Sequence, residues 1–168
     1  HTLTNSFKQY DDTYGFPGEG PNGICKMISL NIGGASTKDE KYINLVTYMK
    51  EHNIDVAFIQ ETRSTHSQHI NNIIGFSDYI AYESHNIINH SKGGTAILIH
   101  NNITVNSHRT DSDLTWYDNL TLNDKNHLDR DAASGRWAQV KVEMFNMNLN
   151  LVCNYFPANS HKARMIHS

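Results

Sequence analysis

Residues 25–32 alternate between apolar and polar side chains, and a pair of glycines follows directly. This pattern predicts a β-strand that ends in a turn. Ser36 or Thr37 then caps a helix that continues to about His52, because the apolar side chains recur at helical spacing. Residues 55–61 have a continuous apolar centre, which is typical of a strand covered on both faces. The strand–helix–strand order favours two parallel strands joined by a right-handed crossover.

The later apolar patterns predict one short helix and four strands. The helix covers residues 64–74, and the strands cover residues 78–83, 95–100, 136–143 and 148–155. The short polar link between the last two strands favours a hairpin. Residues 107–134 are polar and rich in aspartate, which predicts an irregular loop. Asn159 or Ser160 caps a final helix, and the sequence stops inside it.

The pattern divides the chain into two parts. Residues 14–23 contain four glycines and two prolines, so we expect residues 1–24 to form an extended N-terminal arm. Residues 25–168 form the second part, which we interpret as a partial domain. The sequence begins at His1 rather than Met, so we expect the true start to lie upstream or to have been removed.

Composition limits the class of protein. The chain has 168 residues, of which 38% are hydrophobic and 18% charged, so it has enough apolar residues for a packed core. No stretch approaches 18 apolar residues, so we expect no membrane-spanning helix, and no signal peptide is visible. The net charge of -3 argues against a strongly basic, nonspecific nucleic-acid binder, although a local basic groove remains compatible with it.

The metal-binding residue types form no zinc motif. Cys25 and Cys153 both lie in strand-like apolar runs, so we interpret them as free thiols rather than as a disulfide framework. His66 and His69 have the H-x-x-H spacing, with two further histidines nearby, but no Cys or carboxylate partner follows at a suitable distance. We therefore predict no zinc site.

Four short segments, taken in order, carry a family resemblance. They are ISLNIGG at 28–34, DVAFIQETR at 55–63, KGGTAILIH at 92–100 with GRWAQVKV at 135–142, and LVCNYFPANSHKAR at 151–164. Together they resemble the endonuclease/exonuclease/phosphatase superfamily. Within it they are most similar to the apurinic-type endonuclease domain of non-LTR (LINE-like) retrotransposons. The resemblance covers roughly residues 26–168.

The resemblance implies a divalent metal at the ends of the first strands. It makes Glu61 the metal ligand, and Asn31 a residue that orients this carboxylate or binds near the metal. Mg²⁺, or Mn²⁺ in its place, suits such a site because a hard cation commonly takes only one or two protein carboxylates. The same residues have structural alternatives. Glu61 could be a surface residue at a strand end, and Asn31 could simply start a turn.

The resemblance also implies groups that hold the phosphate. Tyr155 matches the family tyrosine that hydrogen-bonds the scissile phosphate, although a tyrosine that only closes a strand would look the same. Arg136 could reach phosphate bidentately, or equally well pair with a nearby aspartate. Arg63, Asn159 and Arg164 are further candidates for contact with DNA. For Arg63, as for Lys92, an ordinary solvated charge is the alternative.

Several family motifs are absent from the sequence. A Gly-Asp-Phe-Asn-like motif, a Ser-Asp pair and a terminal Asp-His pair would be expected after Tyr155, and none is present. The aspartates of residues 111–131 precede Tyr155 and do not replace these motifs. Glu61 and Asn31 alone would leave the site without a general acid or base.

The expected fold is α/β, specifically the N-terminal half of a four-layer α/β sandwich: one mixed sheet with flanking helices. We expect the inner sheet face to be apolar and to be covered by the missing C-terminal half or by another protein chain. The expected core side chains are Ile28, Leu30, Val56, Phe58, Ile97, Ile99, Val140, Leu149 and Val152.

Two functional hypotheses follow. The first is the N-terminal part of a magnesium-dependent phosphodiesterase, a DNA endonuclease of retroelement type that is inactive without its C-terminal half. The second is a degenerate endonuclease-like fragment that serves as a non-catalytic structural subunit of a larger complex. An inositol-phosphate or sphingomyelin phosphodiesterase is a further option within the superfamily. The resemblance implies DNA as substrate. We expect no membrane partner, because the sequence has no long apolar stretch, and an intracellular location, which is nuclear if the retroelement resemblance holds.

Overall fold

The computed structural model of the chain describes residues 25–33, 39–112, 119–123 and 134–156. The predicted arm at residues 1–24, the helix cap at Ser36 or Thr37 and the final helix lie outside these residues. No helix in the described ranges combines the length and apolarity needed to cross a membrane.

Seven strands and two helices make up the described part of the chain. They are β1 (Met27–Asn31), α1 (Asp39–Glu51), β2 (Val56–Gln60), α2 (His69–Ile74), β3 (Tyr79–Ser84), β4 (Thr95–His100), β5 (Thr104–Thr110), β6 (Trp137–Met144) and β7 (Met147–Asn154). The strands form two sheets. The first has the order β1-β2-β4-β3, and the second has the order β5-β6-β7.

The first sheet is mixed, as the sequence predicts. Strands β1 and β2 run parallel in the register Met27 to Val56, and α1 connects them. Strand β4 lies antiparallel to both β2 and β3. Because β1 and β2 are parallel neighbours, their carboxyl ends meet at one edge, where Asn31 lies opposite Gln60.

The second sheet is antiparallel, and β6 and β7 form the hairpin that the sequence predicts. The hairpin turn consists of Phe145 and Asn146, with φ values of 53° and 57°, between the paired residues Met144 and Met147. Positive φ at both central residues is typical of a type I′ turn, whose twist matches that of the flanking strands.

Strand β5 corrects the sequence interpretation, which treated residues 107–134 as an irregular loop. Residues 107–110 belong to β5, which pairs with β6 along Thr104–Thr110. The strand has only one apolar residue, Val105, and a register shift between Val105 and Ser107 interrupts its alternation. An edge strand with polar side chains and a bulge carries little period-2 signal, so sequence pattern alone misses it.

The helices and the second sheet cover opposite faces of the mixed sheet. On the outer face, α1 contributes Tyr42, Leu45, Val46 and Met49 to a core shared with α2 and the strands. Ile43, which fits the helical apolar pattern, is 49% exposed. On the inner face, residues of β2 and β4 pack against residues of β6 and β7.

The inner core corrects one expectation about the sheet. We expected another half-domain or chain to cover the inner face of the mixed sheet, but the second sheet of this same chain covers it. Val56, Ile97 and Ile99 are buried there against Val140 and Val142. The α/β class with a mixed sheet and flanking helices is confirmed.

The expected core side chains divide between the two faces. Ile28 and Leu30 are partly buried on the helical side, whereas Phe58 and Leu149 are partly buried between the sheets. Val152 was wrongly assigned to the core: it is 46% exposed, because it lies on the outer face of β7, whereas its neighbours Leu151 and Cys153 are buried. Successive side chains in a strand point to opposite faces of the sheet, so an error of one residue assigns an exposed side chain to the core.

Val140 and Val152 provide a matched test of the core between the two sheets. Val140→Ala should lower the free energy of unfolding by about 2 kcal/mol, because it opens a cavity between the sheets. Val152→Ala, the same chemical change on the adjacent strand, should stay within about 0.5 kcal/mol of wild type. Urea unfolding followed by circular dichroism measures both values. Equal effects would contradict a closed core between the sheets.

Candidate functional site

Three of the residues predicted from sequence meet at one end of the sandwich. Asn31 is the last residue of β1, and Glu61 directly follows β2. Tyr155 directly follows β7 of the other sheet, and its backbone N–H donates to the carbonyl of Arg136 at 2.7 Å. The parallel pairing of β1 and β2 and the packing of the two sheets therefore bring these side chains together.

Glu61 is the centre of this cluster. The Tyr155 hydroxyl donates to Oε1 of Glu61 at 2.9 Å. The Asn31 side chain also hydrogen-bonds Glu61, while its Oδ1 accepts the backbone N–H of Gly33 at 2.9 Å. Because an ionised carboxylate can only accept hydrogen bonds, the NH₂ group of Asn31 is the part that donates to Glu61.

These contacts keep Glu61 ionised. The hydrogen bond from Asn31 and then that from Tyr155 hold the pKa of Glu61 below its usual range; burial opposes them, and the charge of Arg63, the smallest of these effects, also lowers the pKa. Burial, together with the hydrogen bond to Glu61 and its charge, raises the pKa of Tyr155. The site therefore presents a carboxylate beside a protonated phenol at neutral pH.

The backbone that carries Glu61 is strained. Glu61 and Arg63 have φ values of 55° and 50°, in the left-handed region that non-glycine residues rarely adopt. The intervening Thr62 is fully buried, and its carbonyl accepts the hydroxyl of Tyr42 at 3.1 Å. The strained conformation turns the chain sharply at the end of β2, so that Glu61 leaves the sheet at its carboxyl edge.

A glycine pair before β4 holds this strained segment. The N–H of Thr62 donates to the carbonyl of Gly94 at 3.1 Å, and the N–H of Arg63 donates to that of Gly93 at 2.9 Å. At Gly94, whose φ is 88°, an added Cβ would overlap the side-chain oxygen of Thr62 and lie 2.9 Å from the nitrogen of Arg63. Close backbone approach therefore requires glycine at position 94.

The two predicted arginines that the structure describes both lie near the cluster. The Arg136 guanidinium lies over the ring of Tyr155, 5.5 Å from its centroid, in a cation–π contact. Arg63 is exposed, and its charge lowers the pKa of both Glu61 and Tyr155. The predicted phosphate contacts Asn159 and Arg164 lie outside the described residues.

Sequence reasoning missed some residues that shape the site. Gln60 donates to Ser29 Oγ at 3.2 Å and to Cys153 Sγ at 3.3 Å, and so links β1 and β2 to β7. Asp111 binds the backbone of Gly135 and Arg136 at 3.0 and 2.8 Å. Gln60 lies within the DVAFIQETR motif, but the motif does not show which distant side chains it contacts, and Asp111 has no local signal that distinguishes it from the other aspartates of residues 111–131.

Among the residues that the structure describes, Glu61 is not part of a larger cluster of metal-binding side chains. Within the ranges that the structure describes, no three His, Cys, Asp or Glu side chains converge in a way that could hold a metal ion. The rings of His66 and His69 lie 5.6 Å apart, and neither belongs to such a group within the described part of the chain. Any cation bound at Glu61 would therefore keep most of its water ligands.

A family model identifies the chain. The model, described as the endonuclease/exonuclease/phosphatase family, matches residues 28–137, which is well over half of the sequence. The chain belongs to this family. The match includes Asn31, Glu61 and Arg136 and ends before Tyr155. A comparison with curated proteins finds no match.

Two solved structures share the fold. The catalytic domain of APE2 from Xenopus laevis has a TM-score of 0.53 at 17% identity, with 83% of this chain covered. A TDP2 from D. rerio, humanized by 14 mutations, has a TM-score of 0.51 at 12% identity, again with 83% covered. This chain covers 48% and 50% of those two chains, so it spans about half of their length.

The space around Gly94 gives a stability prediction. Gly94→Ala should lower the free energy of unfolding by about 3 kcal/mol, because strain at positive φ adds to overlap with Thr62 and Arg63. Gly33→Ala is the matched control, since Gly33 also has positive φ but an added Cβ meets nothing within 4 Å. It should cost about 1 kcal/mol. Equal losses in urea unfolding would mean that the contact with residues 62–63 is not tight.

The hydrogen bonds to Glu61 give a titration prediction. Tyr155→Phe and Asn31→Ala should each raise the pKa of Glu61 toward its ordinary value, and Asn31→Ala should raise it further, because the Asn31 bond has the larger effect. Carboxyl ¹³C NMR of labelled glutamate measures this pKa. Tyr48→Phe, on the exposed face of α1, is the control and should leave it unchanged.

The lowered pKa of Glu61 also makes the stability of the fold depend on pH. A lowered pKa stabilises the fold above the unfolded-state value of 4.5, and that stabilisation disappears as the pH falls through the lowered pKa. The stability difference between wild type and Tyr155→Phe should therefore shrink on acidification below 4.5. A difference that stays constant from neutral pH into this acid range would show that the phenol stabilises the fold without acting on the Glu61 carboxylate.

Proposed function

We propose that this chain contributes the Glu61-centred part of a divalent-metal-dependent phosphodiesterase site, in a DNA endonuclease of retroelement type. The observation that carries the proposal is the convergence of Glu61, Asn31 and Tyr155 from the ends of three strands in two sheets. Membership of the endonuclease/exonuclease/phosphatase family supports phosphate-ester chemistry in general. The retroelement assignment rests on the sequence motifs at residues 28–34, 55–63, 92–100 with 135–142, and 151–164.

The donor chemistry at Glu61 fits Mg²⁺ or Mn²⁺. Mg²⁺ is commonly bound through one or two carboxylates and keeps several waters, and Glu61 supplies one carboxylate that stays ionised. Asn31 orients that carboxylate through its NH₂ group, and its oxygen has a second lone pair for a ligand or a metal-bound water. A bound divalent ion would neutralise charge that develops on the phosphate oxygens.

The remaining side chains suit phosphate binding. Tyr155 keeps its proton at neutral pH because its pKa is raised, and its single hydroxyl hydrogen, which Glu61 accepts in this structure, would turn to the phosphate when substrate binds. The exposed Arg63 places a positive charge beside the carboxylate and the phenol, whereas Arg136, only 7% exposed, lies over the ring of Tyr155. Guanidinium groups recognise phosphate through paired hydrogen bonds, so Arg63 would contact a DNA backbone directly, and Arg136 would add its charge at Tyr155.

We expect the 168-residue chain to be inactive by itself. Its sequence lacks the later family motifs that supply the Asp-Asn and Asp-His groups, and Glu61, Asn31 and Tyr155 include no general base at neutral pH. The proposed activity would therefore need these groups from a C-terminal half or from another protein chain. A nuclear location goes with the retroelement hypothesis.

Metal binding is the first test, because it does not require catalysis. Mn²⁺ should broaden the NMR resonances of residues near Glu61 saturably, and Glu61→Gln should abolish that effect, since it removes the charged oxygen ligand of the proposed site. Glu51→Gln is the matched control, because Glu51 is exposed at the far end of α1. It should leave the broadening intact.

Plasmid nicking with Mg²⁺ is the second test. The isolated chain should leave the plasmid intact, and a preparation that contains the complementary half should nick it only when Glu61 is present. Nicking that survives Glu61→Gln would overturn the site assignment. Saturable Mn²⁺ binding without nicking in any preparation would favour the non-catalytic subunit, and cleavage of small phosphodiesters instead of DNA would favour the other superfamily branches.

A further inference from the structure

A buried carboxylate outside the proposed metal site has contacts that the proposed function does not use. Asp111 follows β5 and is only 6% exposed. Its two oxygens accept the backbone N–H groups of Gly135 and Arg136 at 3.0 and 2.8 Å, and the Ser84 hydroxyl donates to it as well. These donors favour the ionised form, although burial raises the pKa of Asp111.

One chain of hydrogen bonds leads from Asp111 to the strained segment after Glu61. Asp111 binds the N–H of Gly135, and the carbonyl of Gly135 accepts the N–H of Gly94 at 3.0 Å. The carbonyl of Gly94 in turn accepts the N–H of Thr62 at 3.1 Å. Three hydrogen bonds in sequence therefore connect the Asp111 side chain to Thr62, the residue after Glu61.

A second chain leads from Asp111 to the phenol. Asp111 binds the N–H of Arg136, and the carbonyl of Arg136 accepts the N–H of Tyr155 at 2.7 Å. The Tyr155 hydroxyl then donates to Glu61 at 2.9 Å. The two chains start on the two oxygens of one side chain; the first ends on the backbone of the residue after Glu61, and the second ends on the Glu61 carboxylate itself.

The peptide units that Asp111 binds have little room to move. Gly135 has a φ of 76°, and an added Cβ would lie 2.8 Å from the nitrogen of Asn86 and 2.9 Å from that of Gly94. Ser134 is fully buried, and its hydroxyl accepts the N–H of Ile87 at 2.8 Å. A fixed anion that binds two successive N–H groups in such a crowded turn determines where their carbonyls point.

We propose that Asp111 is a positioning residue for the Glu61–Tyr155 pair: its carboxylate holds the backbone at residues 135–136, which places both Thr62 and Tyr155. This inference rests on the proposed function only in treating Glu61 and Tyr155 as the site. Asp111 touches neither the phosphate nor a metal in this proposal. A carboxylate that only stabilises the 134–136 turn would contribute to folding without affecting the geometry at Glu61.

The test compares Asp111→Asn with Asp55→Asn. The asparagine NH₂ at position 111 would face a backbone N–H in place of one acceptor oxygen, so one of the two links should break. Asp55 is an equally buried carboxylate that accepts the backbone N–H of Lys26 at 2.7 Å, and it directly precedes β2, at the end of the strand away from Glu61. Both variants lose a buried acceptor, but only the first lies on the chains to Glu61.

Two readouts separate positioning from stability. In protein labelled with ¹³Cζ-tyrosine, the Tyr155 resonance, assigned with Tyr155→Phe, reports the hydrogen bond of the phenol to Glu61. Asp111→Asn should move this resonance toward the position of a water-exposed tyrosine and weaken Mn²⁺ binding roughly 10- to 100-fold, the usual effect of losing a residue that orients a ligand. Asp55→Asn should change neither readout, whatever it does to the unfolding midpoint.

Ser84→Ala covers the case in which Asp111→Asn fails to fold. It removes the hydroxyl donor to Asp111 and keeps both backbone links. It should shift the Tyr155 resonance in the same direction by a smaller amount. If Asp111→Asn is folded, an unchanged Tyr155 resonance in it overturns the proposal; if it is unfolded, an unchanged resonance in Ser84→Ala does so.

The proposed function and this inference can fail separately. Absence of saturable Mn²⁺ binding in the wild-type chain would count against the metal site, whereas the Tyr155 resonance would still report positioning. Mn²⁺ binding that Glu61→Gln abolishes, with a Tyr155 resonance that is the same in Asp111→Asn and Asp55→Asn, would retain the metal site and overturn the role of Asp111.

Discussion

The packing of the second sheet on the inner face of the mixed sheet is the constraint on which the site depends. Val56, Ile97 and Ile99 on one side and Val140 and Val142 on the other exclude water from this layer. Glu61 belongs to the first sheet, whereas Tyr155 belongs to the second. Their 2.9 Å hydrogen bond therefore depends on the apolar layer, which fixes the position of one sheet relative to the other.

The packed tertiary structure also allows the backbone at the end of β2 to stay in a strained conformation. Two non-glycine residues in the left-handed region, Glu61 and Arg63, would each cost about 1–3 kcal/mol in isolation. The neighbouring backbone at Gly93 and Gly94 binds the N–H groups of Thr62 and Arg63, and the Tyr42 hydroxyl binds the carbonyl of Thr62. Tertiary contacts thus hold a conformation that the local sequence does not favour.

The sequence predicts the elements whose side chains alternate or recur with a clear period. The parallel β1–α1–β2 unit, the β6–β7 hairpin and the meeting of Asn31 with Glu61 follow from such patterns and from the family motifs. Strand β5 and the contacts of Asp111 do not, because a polar edge strand has no apolar period and a carboxylate that binds distant backbone leaves no local mark. Sequence pattern also did not indicate that the second sheet of this same chain covers the inner face, since period-2 alternation does not specify which strands share a sheet.

The ionised form of Glu61 is stabilised mainly by uncharged groups. The main contributions that lower its pKa come from Asn31 and Tyr155, which are neutral donors, and the charge of Arg63 contributes less. Neutral donors keep a carboxylate ionised without cancelling its charge, whereas a buried ion pair would cancel it. The negative charge of Glu61 therefore remains available to a cation. In the proposed site, the exposed Arg63 would attract a phosphate to the rim while Glu61 binds a divalent ion, and Arg136, only 7% exposed, would act through its contact with the Tyr155 ring.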